Sequence, residues 1–149
     1  MDDQYEALKL SHQLCFPLYA CSREIIKRYK PFLDELDLTY TQYIAMMVLW
    51  EQGQLTVKEL GAALFLDSGT LTPLLKKLEA KGYITRRRSQ ADERSLLVGL
   101  TAQGLALRDR ALSVPVQMAR RVRLEPEEVK ELYRLLYKLL EQDEPEEQE

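Results

Sequence analysis

The chain of 149 residues has one histidine, two cysteines, one tryptophan and six glycines. With His12 alone, neither a histidine-based catalytic triad nor a histidine-rich metal cluster can be assembled. Cys15 and Cys21 do not make the disulfide framework of a secreted domain. On a continuous helix they would stand about 240° around and about 9 Å along from each other, so a direct bond would unwind it. The glycines form no nucleotide-binding motif, and no internal repeat is present. No apolar run approaches the roughly 18 residues of a membrane span. The first residues, Met1-Asp2-Asp3-Gln4, are acidic where a secretory leader is basic, so a cytoplasmic location is expected, with no membrane partner. No metal and no cofactor are expected.

What is abundant is apolar and charged side chains, at 46% and 30%, enough for one core and a solvated surface. The net charge of −3 is unevenly spread. Residues 125–149 carry ten acidic and three basic groups, a net −7 that leaves +4 on the rest. Residues 58–94 hold eight basic groups against five acidic ones. A local positive surface suits a polyanion, while the acidic end 143–149 is expected to be a disordered, solvated tail.

The positive segment has a recognisable order. In DSGTLTPLLKKLEAKGYITRRRSQADERSLLVGL (67–100), Asp67 or Ser68 can cap a helix. Leu71, Leu74, Leu75 and Leu78 then recur at helical spacing, and Gly82 suits the left-handed stop. Pro73 is expected within or near the first turn. Ser68, Thr70, Thr72, Lys76 and Lys77 are left for the outer face, where short hydroxyls suit base edges and lysines suit phosphates. A hairpin follows, from Tyr83 to Arg88 and from Leu96 to Leu100, with a polar tip carrying Asp92 and Arg94. Strand alternation puts Arg86 and Arg88 on one face, expected to be toward DNA, and Arg87 on the other. Arg94 at the tip suits a minor groove.

The remainder reads as helical. Tyr5 to Tyr29 is a long helix bent or divided at Pro17. Pro31 begins a short segment through Leu36. Thr39 or Thr41 caps the apolar helix YTQYIAMMVLWEQ, with Met46 and Met47 in the core, and Gly53 ends it. Thr56 and Glu59 form a capping box at the start of the next helix. Residues 101–121 and the amphipathic stretch 125–142 close the chain. The fold class is therefore mainly α with a small β-hairpin wing, a winged helix-turn-helix over 39–100. Residues 1–36 and 101–142 are left as dimerisation helices.

In this order of elements the chain resembles the MarR family of winged-helix regulators over residues 5–140. Within it, LCFPLYACSREIIKRYKPFLDELDLTYTQY, LDSGTLTPLLKKLE and RRSQADERSL look like the organic-hydroperoxide sensor (OhrR-like) branch. The resemblance implies a MarR-like homodimer formed through N- and C-terminal helices, and binding to double-stranded DNA with a palindromic operator. It implies that Cys15 is the sensor thiol and that Tyr29 and Tyr40 of the other subunit face it. Tyr19, one turn beyond Cys15, is placed in the same pocket, and Phe16 and Leu18 favour organic peroxides. No cysteine follows Cys21, so a one-cysteine route is implied, with a low-molecular-weight thiol as condensing partner; Cys21 is taken as structural. Repression released by oxidation is the expected function. Two alternatives stand beside it. One is a regulator released by a small apolar or phenolic ligand with Cys15 incidental. The other is a thiol peroxidase, for which Arg23, two turns from the thiol, is a poor activating group.

Overall fold

Gln13 and Pro17 set where the first α-helix begins. In the computed structural model, which describes residues 3–141, residues Asp3–Leu8 and Leu10–His12 form short 3₁₀ turns. Gln13 ties them down by donating from Nε2 to the carbonyls of Ala7 (2.6 Å) and Lys9 (2.9 Å). The long helix α1 starts only at Cys15 and runs to Asp34. Pro17 has no N–H to give Gln13 and its ring would crowd that carbonyl, so a helix cannot pass through from Tyr5. Pro17 thus sits in the first turn, where no donor is missed, and α1 is not bent there. Pro31, expected to begin a separate segment, lies inside α1.

Helix α2 (Tyr40–Gln52) is capped by Thr39, whose Oγ accepts from Gln42 N–H while Gln42 Oε1 accepts from Thr39 N–H. It ends at Gly53 with φ 79°, a conformation only glycine adopts freely. Tyr43, Ala45, Met46 and Leu49 are buried, whereas Met47 is exposed. Strand β1 (Gln54–Thr56) precedes helix α3 (Val57–Leu64), whose capping box joins Thr56 and Glu59 as the sequence indicates. Helix α4 (Ser68–Ala80) is capped by Asp67, which accepts from Thr70 N–H at 2.7 Å. That bond holds the Asp67 carboxyl below the usual carboxylate range. Pro73 falls near the first turn, early in the second, and leaves the Gly69 carbonyl without its helical donor.

Strands β2 (Ile84–Arg88) and β3 (Leu96–Leu100) form the expected hairpin, but β1 adds to it in the antiparallel order β1-β3-β2, pairing Leu55 with Val98. Helix α5 (Ala102–Ala111) is capped by Thr101. It breaks before α6 (Ser113–Ala119), so the expected single helix over 101–121 is divided. Pro115 explains the break, since its ring would meet the Ala111 carbonyl in a continuous helix. Leu49, Leu60, Leu71, Leu75, Leu78, Ile84, Val98 and Val114 form one core beneath α2–α5 and the sheet.

Residues through Val116 make one compact unit and those from Gln117 a second. In the second, α7 (Pro126–Leu140) has a Glu125–Glu128 capping box and Pro126 at its first position. Val129, Leu132, Leu135, Leu139 and Leu140 are all exposed along it. The acidic tail 143–149 lies outside the described residues. None of the described helices is long and apolar enough to cross a membrane.

Candidate nucleic-acid interface and thiol site

Burying Leu71, Leu74, Leu75 and Leu78 turns the opposite side of α4 outward. Ser68, Thr70, Thr72, Pro73, Lys76 and Lys77 are all exposed there. Thr72 spends its hydroxyl proton on the Ser68 carbonyl at 2.8 Å, which leaves its methyl and oxygen lone pairs outward. Lys76 and Lys77 form no ion pair or hydrogen bond among the described residues. Two ammonium groups one position apart, free of carboxylates, make an anion-binding edge. At the wing tip, Asp92 accepts from Arg94 N–H (3.0 Å) and from Ser95 Oγ (3.2 Å), so Asp92 shapes the turn. The Arg94 side chain stays exposed, without a partner among the described residues. Arg88 donates to the Glu93 carbonyl at 2.9 Å across the hairpin.

Arg86 departs from its expected place. Its face of β2 is the one that carries buried Ile84, so the side chain turns onto α4 and is only 19% exposed. There Nη2 donates to Glu79 Oε1 at 3.1 Å and its backbone N–H donates to Oε2 at 3.1 Å. Arg86 therefore clamps the wing to α4 rather than facing outward with Arg88, and Nε is left without a partner. The Arg86 hydrogen bond holds the Glu79 carboxyl below its ordinary 4.5. A depressed carboxylate stabilises the fold above the unfolded value and loses that contribution as pH falls through the folded one. Glu79→Gln is thus expected to destabilise the protein near neutral pH and to shrink the loss on acidification below about 4.5. Melting temperatures of both proteins between neutral and acid pH measure this; parallel curves would rule out the clamp.

The thiol lies elsewhere. Cys15 is exposed at the first position of α1, with Phe16 and Tyr19 also exposed beside it. Cys21 is exposed as well, so it is not a core residue. Arg23 reaches back one turn and donates from Nη1 to the Tyr19 hydroxyl at 3.2 Å. Tyr29 and Tyr40 do meet, with ring centroids 5.0 Å apart. Tyr43 joins them at 5.9 and 6.5 Å and stacks edge-on toward Trp50 at 6.5 Å. Tyr43 and Trp50 were not picked out from the sequence, although Tyr40, Tyr43 and Trp50 share one face of α2 by spacing. Burial pushes the Tyr29 phenol up, burial and then Tyr29 push up Tyr40, and burial first of all takes Tyr43 to about 12. All three remain neutral O–H groups near neutral pH. Cys15 and Tyr29 are fourteen positions apart on α1, about 21 Å along its axis, so one chain does not bring thiol and tyrosines together.

A family model described as "Transcriptional regulator SarA/Rot" matches residues 27–110. The organic hydroperoxide resistance transcriptional regulator of Bacillus subtilis is 50% identical over 141 residues, covering 95% of this chain and 96% of that protein. The chain belongs to the MarR family of winged-helix transcriptional regulators. Its likeness to solved members is equally broad. AbfR of Staphylococcus epidermidis, in its reduced form bound to DNA, has a TM-score of 0.77 and 33% identity, over 93% of this chain and 96% of that one. A cysteine-to-serine mutant of MarR of E. coli with operator DNA has a TM-score of 0.73 and 26% identity, over 85% of this chain and 93% of that one. In this MarR-family chain, α3 and α4 are the helix-turn-helix, and the β2–β3 hairpin is the wing. The turn between the helices is tight: a Cβ on Gly61 would stand 2.7 Å from the Leu66 carbonyl oxygen. On the outer face of the sheet lies a hollow of about 710 Å³ lined by residues including Trp50, Gln54, Thr85, Arg87, Gly99 and Leu105.

Proposed function

We propose that this chain is a homodimeric, peroxide-responsive repressor. In its reduced form it holds operator DNA, and it lets go when Cys15 is oxidised. The observation that carries this reading is an exposed thiol opening α1 in a chain matched over 95% of its length to an organic hydroperoxide regulator. AbfR, similar along 93% of this chain, has been solved reduced on DNA and also in a disulfide form, which supports redox control in a close fold relative. DNA contact is assigned to Ser68, Thr70, Thr72, Pro73, Lys76 and Lys77 on α4 and to Arg88, Asp92 and Arg94 on the wing, with Asp92 shaping the tip. Two α4 helices related by a two-fold axis read the two halves of a palindrome. The exposed apolar faces of α1 and α7 are the surfaces given to the second copy, and the location is the cytoplasm.

The chemistry is a two-electron oxidation. The Cys15 thiolate attacks the outer peroxide oxygen, an S–O bond forms and the O–O bond breaks. The leaving alkoxide takes a proton and departs as the alcohol, and Cys15 is left as sulfenic acid. A low-molecular-weight thiol can then form the mixed disulfide with loss of water. The tyrosines of the second copy, neutral donors in this pH range, hydrogen-bond the thiolate before attack. The change at sulfur removes those bonds and loosens the spacing of the two α4 helices. Loss of peroxide is stoichiometric with protein, as for a sensor and unlike an enzyme.

The test is operator binding with and without cumene hydroperoxide. The wild type is expected to release DNA and Cys15→Ser to stay bound. Release of Cys15→Ser by hydroperoxide would sink the redox mechanism. The hollow beside Trp50 and Arg87 favours a second reading, release by a small aromatic ligand with Cys15 incidental; under it, a ligand frees Cys15→Ser and wild type alike.

A further inference from the structure

The far end of α4 has two polar anchors. One is the Glu79–Arg86 clamp to the wing. The other is Lys81, which follows the last residue of the helix and reaches across to the corner between α1 and α2. That corner is firmly built. Leu36 and Leu38 are buried on either side of Asp37, and Leu38 N–H donates to the Leu33 carbonyl at 3.0 Å. Asp37 stands at φ 54°, a left-handed conformation that aspartate tolerates better than most residues. Lys81 Nζ donates to the Asp37 carbonyl and to Gln42 Oε1 at 3.1 Å, and lies 3.6 Å from Asp37 Oδ2. Gln42 is only 3% exposed, and the same Oε1 accepts the Thr39 N–H at 3.1 Å where α2 begins. Three oxygens thus form a socket for an ammonium group, which has three donors and no acceptor. The Lys81 side chain is 27% exposed, whereas Lys76 and Lys77 face outward.

We propose that Lys81 is a positioning residue for sequence reading. It ties the end of α4 to the α1–α2 corner and so sets the angle at which the outer face of α4 meets base edges, without touching DNA itself. Hydrogen bonds to bases demand close placement of their donors, whereas attraction to phosphates is long-ranged and tolerant of tilt. A helix released at its far end therefore keeps its hold on the DNA backbone and loses discrimination between sequences. The inference rests on the proposal that α4 enters the groove. It does not depend on Cys15.

The experiment measures binding of reduced, full-length protein to the operator and to a scrambled duplex of equal length, across a salt series. Lys81→Met keeps an unbranched stem and removes the ammonium. It orphans no buried group, because Gln42 Oε1 keeps the Thr39 N–H and Asp37 is exposed. The variant is expected to lose operator affinity about tenfold, the size of one charge-assisted hydrogen bond. Its affinity for the scrambled duplex should change less than about twofold, with the salt slope on both duplexes as in the wild type. Lys81→Arg should recover most of the loss, since a guanidinium can donate to the same oxygens. An equal loss on both duplexes, or a slope shallower by about one, would make Lys81 a phosphate contact and overturn the proposal. A lower melting temperature with operator preference unchanged would reduce Lys81 to a structural contact and overturn it equally. A wild type that keeps its operator after cumene hydroperoxide would defeat the peroxide reading and leave the Lys81 result standing.

Discussion

Gly104→Ala is expected to lower the melting temperature by about 10 °C, from a net destabilisation of about 3 kcal/mol. An alanine in a helix ordinarily stabilises it by about 1 kcal/mol relative to glycine. Here a Cβ would lie 2.0 Å from the Tyr83 carbonyl oxygen and 2.9 Å from its carbon, both backbone atoms that no rotamer can move aside. The close approach is fixed from three sides. Tyr83 O accepts from Thr101 N–H at 3.1 Å, Thr101 Oγ donates to Gly82 O at 2.6 Å, and Trp50 Nε1 donates to Gly104 O at 2.9 Å. Relief of the clash must break this junction, which sits at the root of the wing, and operator affinity should fall with stability. Gly99→Ala is the control, because its Cβ would meet only Thr85 Oγ at 3.5 Å. Thermal melts of the two variants decide the matter; equal melting temperatures would show that the junction yields.

The double variant Lys76→Ala/Lys77→Ala is expected to lose operator affinity about thirtyfold at ~0.15 M salt. The slope of log affinity against log salt should become shallower by about 2, since each phosphate contact releases roughly one counterion. Both ammonium groups are exposed on α4 and free of carboxylates among the described residues, so their removal subtracts charge without breaking a contact in the fold. Arg94→Ala should subtract about one further unit of slope. Arg86→Gln should behave differently. Its charge is committed to Glu79, so stability falls while the salt slope stays near the wild-type value. Binding isotherms across a salt series separate the two classes. A slope unchanged in the lysine variant would move the DNA surface off this face of α4.

What was legible in the sequence was local. The capping box at Thr56, the caps offered as Thr39 or Thr41 and as Asp67 or Ser68 (Thr39 and Asp67 fill them), and the glycine stops at Gly53 and Gly82 each join residues within about one turn. The same holds for the leucine face of α4, which fixes its outer face by subtraction. Prolines were read less completely, because the effect depends on position within a helix. Pro17 divides the stretch by starting α1, one of the two outcomes offered for it, Pro31 is absorbed within α1 rather than beginning a segment, and Pro73 lies just past the first turn of α4.

Charge distribution and residue order pointed to a DNA-facing helix and a wing without any coordinates, and the resemblance of the segment around Cys15 to the peroxide-sensor branch supplied the candidate sensor. Tertiary structure decided the rest, because the partners are distant along the chain or belong to another face. Strand β1 is three residues long and exists only because β3 pairs with it from more than forty positions away. The arginine run of β2 looks uniform in sequence; packing against α4 turned Arg86 inward to Glu79 and left Arg88 outward. Trp50 gained a meaning from Gly104, fifty-four positions on. Arg23 was set aside as too far from the thiol, and the side chain's lean along α1 showed that its reach ends at Tyr19. Short-range hydrogen bonds are written in neighbouring residues, whereas burial and long-range pairing are properties of the assembled core.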